Sequence, residues 1–437
     1  MKKKIIIMGA AGRDFHDFNT LYRGDPAYEV VAFTAAQIPF IHDRIYPPEL
    51  SGPPAPAGIP IYPEEMLAAL IKSKNIDMVA FSYSDVTNEY IMERASLCAS
   101  IGADFVLHSA ENTFLDSAKP VISVCAVRTG CGKSGVTRFI ARIAGEAGMK
   151  AVAIRHPMPY GDLKRQICQR FASLDDLKRA DCSIEEREEY EPLVTAGTVV
   201  YAGVDYAKII KQAEAEADLI IWDGGNNDLP FIRPTLELVI ADPLRPGDEL
   251  KYYHGLTNLR RAGCVIINKA NSATAEAIDE VTQNIRSVNP MARIIKTASE
   301  VTVEADISGK KVLVIEDGPT LTHGGMSYGA GIAAAQKYGA YPVDVRGYAV
   351  GTIKETLDRF PRLTNLLPAM GYSAAQVADL ERTINSTPCD AVLVATPVDL
   401  ARIIDIKKPA IRVRYEVRDM ERTGLEAFIM EFVASIA

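Results

Sequence analysis

VISVCAVRTGCGKSGVT, residues 121–137, is an apolar β-type run that enters a glycine turn and leaves through Lys-Ser into a helical pattern. This is the layout of a phosphate-binding loop, or P-loop. In such a loop, successive backbone N–H groups wrap a phosphate chain, and the helix that follows points its positive end inward. Lys133 is then placed to reach the β and γ oxygens of a nucleotide, and Ser134 to hold Mg²⁺.

The P-loop pattern is a variant one. Its usual first glycine is Val127 here, so only the end from Gly130 to Ser134 is intact. Arg128 lies where one class of P-loop proteins carries a second lysine. A glycine-rich turn with a chance Lys-Ser is the alternative, but the flanking strand and helix favour the P-loop. The residues predicted to bind the nucleotide here are Thr129, Gly130, Cys131, Gly132, Lys133, Ser134 and Gly135.

The domain organisation follows from length and pattern. A chain of 437 residues is expected to form about three domains. Short apolar runs alternate with helical patterns almost throughout, which is typical of β-α units in parallel sheets. We predict an α/β protein with a Rossmann-like domain (1–118), a central P-loop NTPase domain with a mostly parallel sheet (119–300) and a smaller C-terminal α/β region (301–437).

Composition excludes several classes of partner. With 48 Lys+Arg against 56 Asp+Glu, the net charge of −8 argues against nucleic acid and anionic membranes. Seven scattered cysteines without a C-x-x-C pair indicate reduced thiols rather than disulfides or zinc. The start, MKKKIIIMGAAG, lacks a signal-peptide pattern, and no apolar run approaches the roughly 18 residues of a membrane span. We therefore expect a cytoplasmic protein.

Three segments allow further structural predictions. Residues 46–63 are so rich in Pro and Gly that we expect a loop. KRADCSIEEREEYEPL, residues 178–193, is predicted to be helical in part; a solvated face is the favoured interpretation, and a switch or lid is the alternative. Residues 301–320 resemble a hairpin that opens the last block, which forms either a smaller domain or an extension of the central sheet.

A metal-binding carboxylate is predicted in IIWDGGNNDLPF, residues 220–231. An apolar strand that ends in Asp223 before two glycines resembles a Walker B strand and its nucleotide-sensing turn. Asp223 would hold Mg²⁺ directly or through water, together with Ser134. Asn226, Asn227 and Asp228 extend the polar cluster, although Asn and Asp are also common in ordinary turns.

The base-reading segment is predicted in VIINKAN, residues 265–271, which resembles the Asn-Lys-x-Asp of GTPases. Asn268 and Lys269 are expected near the nucleotide. Asn271 replaces the decisive carboxylate of that motif, and an amide can turn either way, so this segment leaves the choice between ATP and GTP open.

Polar strand ends are expected to form a site for an anionic substrate, because ligands of parallel sheets bind outside the carboxyl ends of strands. Arg155 and His156 follow one strand, and Arg13 and His16 crowd the first helix start. The predicted substrate residues are Arg13, His16, Arg245, Thr320, Thr322, His323 and Gly324. The predicted catalytic residues are Lys133, Arg128, Arg155, His156 and Asp223.

A family resemblance adds to these predictions. GAAGRDFHDFN, AVRTGCGKSGVT, RHPMPYGDL, WDGGNNDLPF, ADPLRPGDE and EDGPTLTHGGMSYGAG occur in one order. With these motifs in this order, the chain resembles the cyclic 2,3-diphosphoglycerate synthetase family and related P-loop GTPases, over roughly residues 1–420. The resemblance implies a P-loop domain that uses ATP and Mg²⁺ to close a phosphoanhydride within 2,3-diphosphoglycerate, with Lys133, Ser134 and Asp223 on phosphate and metal.

The leading hypothesis is therefore ATP- and Mg²⁺-dependent phosphoryl transfer to a small phosphorylated acid. A GTP-driven regulatory or chaperone-like switch and an ATP-dependent ligase for another small acid are the alternatives. The C-terminal GLEAFIMEFVASI has helical apolar spacing. It is expected to pack on its own domain, with a homodimer contact as the alternative.

Overall fold

The structure is a computed structural model that describes residues 2–36, 44–53, 55–156, 161–322, 325–371 and 373–436, with only the backbone of Pro319 and Thr320. The N-terminal strands are β1 (Lys3–Met8), β2 (Tyr28–Ala35), β3 (Ile45–Tyr46), β4 (Ile59–Pro63), β5 (Met78–Phe81) and β6 (Asp104–Leu107). The central strands are β7 (Val121–Ala126), β8 (Ala151–Arg155), β9 (Gln169–Phe171), β10 (Val199–Ala202), β11 (Leu219–Asp223), β12 (Leu236–Ala241), β13 (Cys264–Ile267) and β14 (Arg293–Val303). The last strands are β15 (Lys311–Asp317), β16 (Tyr341–Pro342), β17 (Leu367–Ala369), β18 (Ala391–Val394) and β19 (Ala410–Asp419).

Helices connect most of these strands. Those before the second sheet are α1 (Arg13–Asp17), α2 (Pro48–Ser51), α3 (Leu67–Lys74), α4 (Asn88–Ser100) and α5 (Ala110–Thr113). Those of the central part are α6 (Lys133–Glu146), α7 (Leu174–Arg179), α8 (Ile184–Thr195), α9 (Tyr206–Glu214), α10 (Asp248–Lys251), α11 (Tyr253–Arg261) and α12 (Ala275–Val288). The remainder are α13 (Gly318–Thr322), α14 (Ala330–Lys337), α15 (Gly351–Arg359), α16 (Ala374–Ser386) and α17 (Leu425–Ile436). Short 3₁₀ turns span Glu64–Met66, Ala270–Ser272 and Leu400–Arg402, and a π turn spans Phe18–Tyr22.

The strands of the described residues form two sheets. The first has the order β3-β4-β2-β1-β5-β6, with parallel pairing except between β3 and β4. The second runs β16-β15-β18-β19-β14-β13-β12-β7-β11-β8-β10-β9, with β17 beside β15. In it only β14 with β19 and β9 with β10 are antiparallel. The predicted α/β class with mostly parallel sheets is confirmed, and the three domain boundaries stay predictions.

The P-loop strand lies at the centre of the second sheet. All six residues of β7 are buried, because β12 and β11 flank it and helices α6 and α11 pack against it. Such a strand is expected to be almost continuously apolar, as VISVCA is. The C-terminal helix α17 packs against α6 in this core through Leu425, Ile429 and Val433, so the expectation that it packs on the C-terminal region is wrong.

The last block extends the central sheet, which was one of the two alternatives for it. The predicted hairpin at residues 301–320 is wrong. Residues 293–303 form a single strand of 11 residues, β14, that pairs antiparallel with β19. β15 instead pairs parallel with β18. The pairing partner of β14 is more than a hundred residues away, so local turn signals could not reveal it.

The prediction of a loop at 46–63 is also wrong in part. This region contains the single-turn helix α2 and the strand β4, which pairs parallel with β2. Ile59 and Ile61 are buried in the N-terminal core. Proline is tolerated here because β4 lies near the edge of its sheet, next to the two-residue strand β3.

No helix in the described ranges is long and apolar enough to cross a membrane. The cytoplasmic compartment stays a prediction.

Candidate functional site

The loop between β7 and α6 has the backbone conformation that a phosphate cradle requires. Gly130 and Gly132 have φ of 84° and 98°, and α6 begins directly after, at Lys133. This left-handed region favours glycine. At Gly132 a Cβ would also lie 2.2 Å from Nδ2 of Asn268. Both glycines of the predicted pattern are therefore required by the fold.

Side chains from neighbouring strand ends hold the carbonyl groups of this loop. Nδ2 of Asn268 donates to the carbonyl of Cys131 at 3.0 Å, and Nζ of Lys269 to that of Gly130 at 2.6 Å. Nη2 of Arg245 donates to the carbonyl of Thr129 at 2.9 Å. Since each peptide unit points its N–H away from its carbonyl, these contacts leave the loop N–H groups for an anion on the other side.

Lys133 and Asp223 meet at the start of α6. Nζ of Lys133 donates to Oδ1 of Asp223 at 2.9 Å, and Arg155 forms a second ion pair with the same carboxylate. Burial raises the pKa of Asp223, but Arg155 and Lys133 outweigh it and hold the pKa below its usual value. Burial lowers the pKa of Lys133, and Asp223 opposes this effect. The structure thus brings three of the predicted catalytic residues together.

His156 follows Arg155 and lies in a narrow slot between two backbones. A Cβ at Gly12 would lie 1.8 Å from its Nε2, and one at Gly225 would lie 2.8 Å from its Cγ. Its Nε2 is 3.2 Å from Oδ2 of the buried Asp228. Burial raises the pKa of Asp228, but its hydrogen bond and charge interaction with His156 hold that pKa below its usual value. The imidazole therefore links the N-terminal loop to the turn after Asp223.

Arg128 connects the P-loop to residues that the sequence did not single out. Its Nη1 donates to Asp248 at 2.9 Å, and its guanidinium stacks on Tyr252 at 3.9 Å. Its Nε is 3.4 Å from Oδ1 of Asp85, which also accepts from the backbone N–H of Thr129 at 3.4 Å. Asp85 follows β5 of the first sheet with φ of 63°. Its position after a strand was the one signal that could have revealed it.

Arg13 and His16 lie inside the contact between the N-terminal and central parts. Nη2 of Arg13 donates to the hydroxyl of Thr113 at 3.2 Å, and His16 contacts the Thr113 carbonyl at 2.6 Å while it stacks on Phe231. Burial lowers the pKa of His16 to about 3, so the ring is neutral. The structure does not bring this pair to the P-loop, and their role in substrate binding stays a prediction.

The other predicted substrate residues are dispersed. Arg245 lies against the P-loop and pairs with Asp242 at 3.2 Å, so it supports the loop. Thr322 ends α13, where its hydroxyl donates to the carbonyl of Gly318 at 2.9 Å. Thr320 lies in the same helix, and His323 and Gly324 lie outside the described residues.

The charged run at 178–193 is not a solvated face. It forms the end of α7 and most of α8, in which Glu185, Glu186, Glu188 and Glu191 are buried. Glu189 of the same helix forms an ion pair with Arg155. These glutamates are buried because α8 is covered by the last block of the chain: the backbone N–H of Gly371 donates to Glu185 at 2.7 Å.

A nucleotide with Mg²⁺ fits the residues present. Magnesium prefers oxygen ligands and keeps several waters, so one or two carboxylates plus phosphate oxygens suffice. The described residues contain no cluster of three or more His, Cys, Asp or Glu side chains that could enclose a metal by itself. Asp223 beside the Lys133–Ser134 helix start has the donor chemistry of such a shared site.

Comparison with known proteins gives the family. No protein-family model matches the chain. The chain is 54% identical to arginine synthetase ArcE of Thermococcus kodakarensis over 434 residues, 99% of this chain and 97% of that protein. It is 23% identical to cyclic 2,3-diphosphoglycerate synthetase of Thermococcus sibiricus over 302 residues, 64% of this chain and 68% of that protein. Among solved structures, LpxK from Aquifex aeolicus in complex with ATP aligns with a TM-score of 0.45 and 13% identity, over 85% of this chain and 99% of that chain.

The resemblance to the cyclic 2,3-diphosphoglycerate synthetases is thus confirmed as a distant relationship, and both kinds of relative are synthetases. The high identity over nearly the whole length is to ArcE. The chain belongs to the family of arginine synthetase ArcE, to which the cyclic 2,3-diphosphoglycerate synthetases are more distantly related.

Proposed function

We propose that this protein is a nucleotide-driven synthetase whose product is arginine. Written as a net reaction, a nucleoside triphosphate, the ureido amino acid citrulline and ammonia give the nucleoside diphosphate, phosphate and arginine. Citrulline differs from arginine by one oxygen in place of one nitrogen, and that oxygen leaves with the phosphoryl group. The observation that carries the proposal is the contact of Lys133 with Asp223 at the end of a glycine loop, in a chain 54% identical to an arginine synthetase.

The triphosphate, when bound with Mg²⁺, supplies the phosphoryl group that turns a poor leaving oxygen into a good one. Lys133 and the loop N–H groups bind and neutralise the phosphate chain. Asp223 and Ser134 would be the oxygen donors for the ion. Arg155 keeps Asp223 ionised, since it lowers the pKa of that carboxylate. Such positioning and charge neutralisation provide most of the catalysis in phosphoryl transfer.

The charge balance around the loop favours an amino acid over a diphosphate as the acceptor. Each Lys and Arg that the structure describes beside the loop is paired with a carboxylate. These pairs are Arg128 with Asp85 and Asp248, Lys133 and Arg155 with Asp223, and Arg245 and Lys269 with Asp242. A polyanion such as 2,3-diphosphoglycerate needs surplus positive charge, whereas a zwitterion does not.

The nucleotide is proposed to be ATP. Asn271 stands where a GTPase has its guanine-reading carboxylate, but both ends of its amide bind the backbone of Ser299. Its Nδ2 donates to the Ser299 carbonyl at 3.3 Å, and its Oδ1 accepts from the Ser299 N–H at 2.9 Å. With this side chain engaged on β14, the guanine-driven switch loses its main sequence support.

Cyclic 2,3-diphosphoglycerate synthesis is the second candidate, because the chain is 23% identical to a cyclic 2,3-diphosphoglycerate synthetase. It would use the same phosphate loop, and the anionic acceptor would have to displace the carboxylates that pair with the cations.

One assay separates these reactions. Purified protein is incubated with Mg²⁺ and either ATP or GTP, with citrulline and ammonium in one set and 2,3-diphosphoglycerate in the other. Arginine is followed by mass spectrometry, and phosphorus species by ³¹P NMR. We expect arginine, ADP and phosphate in equal amounts. A cyclic pyrophosphate resonance would support the second candidate, and nucleotide hydrolysis that ignores both acids would overturn both.

A further inference from the structure

Arg155 is a buried cation that lies between two carboxylates. It is the last residue of β8, with 1% of its surface exposed. Its Nη1 pairs with Oδ2 of Asp223, and its Nη2 pairs with Oε2 of Glu189 in α8. Within the ranges that the structure describes, its Nε is buried without a hydrogen bond. The orientation of the guanidinium plane therefore depends on the two Nη contacts.

Asp223 divides its two oxygens between two cations. Oδ2 faces Arg155, whereas Oδ1 accepts from Nζ of Lys133 at 2.9 Å. Arginine often binds both oxygens of one carboxylate, because two parallel N–H···O bonds fit its fork. Glu189 opposes that arrangement, since it engages the other Nη. The second carboxylate thus leaves Oδ1 of Asp223 to a different cation.

Helix α8, which carries Glu189, is fixed by the last block of the chain. Three of its buried glutamates accept hydrogen bonds from that block: Glu185 from the N–H of Gly371 at 2.7 Å, Glu188 from the hydroxyl of Thr396 at 2.5 Å, and Glu191 from the N–H of Asp399 at 3.3 Å. Glu189, by contrast, is 31% exposed, and α8 contacts the strand β8 that ends at Arg155. The last block therefore holds the helix that orients Arg155.

The charges of these four side chains balance. Lys133 and Arg155 contribute two positive charges, and Asp223 and Glu189 contribute two negative charges. Loss of the Glu189 charge would leave an excess positive charge beside Asp223. Such an excess repels a divalent cation and attracts a phosphate chain.

We propose that Glu189 is a positioning residue for the carboxylate of Asp223: it holds Arg155 on Oδ2 and so leaves Oδ1 to the Mg²⁺ that accompanies the nucleotide. This inference rests on the proposed function only in that Asp223 is taken as a ligand of Mg²⁺. Glu189 acts through Arg155 and contacts neither the nucleotide nor the ion. Its effect is therefore expected on metal affinity first.

Binding calorimetry of the full chain tests this proposal, with ADP and Mg²⁺ as the probes. Mg²⁺ is titrated into equimolar protein and ADP, with ADP alone as the blank, and ADP is titrated separately into protein in EDTA. Glu189→Gln is expected to weaken Mg²⁺ binding roughly 5- to 20-fold. Metal-free ADP should bind as in wild type or up to about threefold more tightly, because the variant is more positive.

Unequal effects on the two probes separate positioning from damage to the fold, which would weaken both. Glu191→Gln is the matched control, because Glu191 lies on the same helix but pairs with Arg187 at 3.5 Å. Its Mg²⁺ affinity should stay within about twofold of wild type. Glu189→Asp keeps the charge on a shorter side chain and should restore most of the Mg²⁺ affinity. Should Glu189→Gln fail to fold, Glu189→Ala provides the same comparison.

A double-mutant cycle tests the route through Arg155. In an Arg155→Met background, Glu189→Gln should change the Mg²⁺ affinity by less than about twofold, because the residue through which Glu189 acts is gone. A loss of the same size with and without Arg155 would overturn the positioning role.

The outcomes distinguish this inference from the reaction. Wild-type Mg²⁺ affinity in Glu189→Gln, or an equal loss of Mg²⁺ and metal-free ADP binding, would overturn the inference even if the wild type makes arginine. A wild type that makes no arginine but binds Mg²⁺ in a Glu189-dependent way would refute the proposed function and leave the inference standing. A wild-type ADP complex that binds no Mg²⁺ beyond the blank would overturn both.

Discussion

Nζ of Lys133 lies 2.9 Å from Oδ1 of Asp223, although the two residues are 90 positions apart in the chain. The contact exists because β7 and β11 are neighbouring parallel strands, so the loop after one meets the last residue of the other. The carboxylate neutralises the lysine. Under the proposed function, a phosphate chain would therefore compete with Asp223 for Lys133.

Replacing Lys133 by alanine should nearly abolish turnover. Loss of one positioned donor to the transferred phosphoryl group lowers kcat by about 10²- to 10³-fold. The measurement is phosphate release from ATP with citrulline and ammonium present. Lys164→Ala is the control, because Lys164 is an exposed lysine whose partner is Glu49 and not a residue of the loop. Wild-type consumption of ATP by Lys133→Ala would remove the loop from the mechanism.

The effect of Gly132→Ala can be separated into backbone strain and steric clash. Gly132 and Gly148 both have positive φ, 98° and 81°, but only the former would place a Cβ against Asn268. Gly148→Ala should cost about 1 kcal/mol of stability and leave nucleotide binding intact. Gly132→Ala should in addition weaken ATP binding at least tenfold, as followed by the fluorescence of the single tryptophan, Trp222, next to Asp223. Equal ATP affinity in both variants would contradict the tight loop geometry.

Much of the site was predictable because it lies at ends of apolar strands. Lys133, Asp223, Asn268 and Lys269 each follow or terminate a strand of the central sheet, and their spacing in sequence is a known pattern. Parallel strands place their carboxyl ends together, so residues far apart in sequence meet without any long-range information.

The other features could not be predicted, because they depend on contacts between segments that are far apart in sequence. Glu188 lies in a run of charges whose polarity indicates solvent, and only the last block of the chain buries it. Asp85 reaches Arg128 because the first sheet contacts the second at their carboxyl edges. β14 pairs with β19, which lies near the C-terminal end of the chain. Each is a tertiary contact that overrides the local pattern.

Replacing Asp85 by asparagine should change the balance between ATP and ADP. The Asp85 carboxylate interacts with Arg128 and with the N–H of Thr129, two groups of the phosphate loop. Because it is an anion at an anion-binding loop, it competes with the outermost phosphate. Asp85→Asn should tighten ATP binding by roughly three- to tenfold and leave ADP binding nearly unchanged. Fluorescence titration of Trp222 gives both affinities, and weaker ATP binding in the variant would show that Asp85 supports the loop instead.

The pH dependence of stability should carry a contribution from Glu186. Burial is the main reason that its pKa rises from 4.5 to about 7, and the charges of Glu185 and Asp181 add to that rise, while hydrogen bonds from Ser183 and Gln166 oppose it. The folded protein thus holds a proton that the unfolded chain has lost. This stabilisation is complete below pH 4.5 and is lost as the pH rises through about 7, by up to roughly 3 kcal/mol.

Glu186→Gln removes that titration while it keeps an oxygen that can accept from the N–H of Ser183, as Glu186 does at 2.8 Å. Relative to wild type, its Tm should rise by a few degrees between about pH 5 and about pH 8, because only the wild type must bury a charge at the higher pH. Differential scanning calorimetry at both pH values measures this change, with the exposed Glu280→Gln as the control. A Tm difference between variant and wild type that does not vary with pH would show that Glu186 is ionised in the folded protein throughout this range.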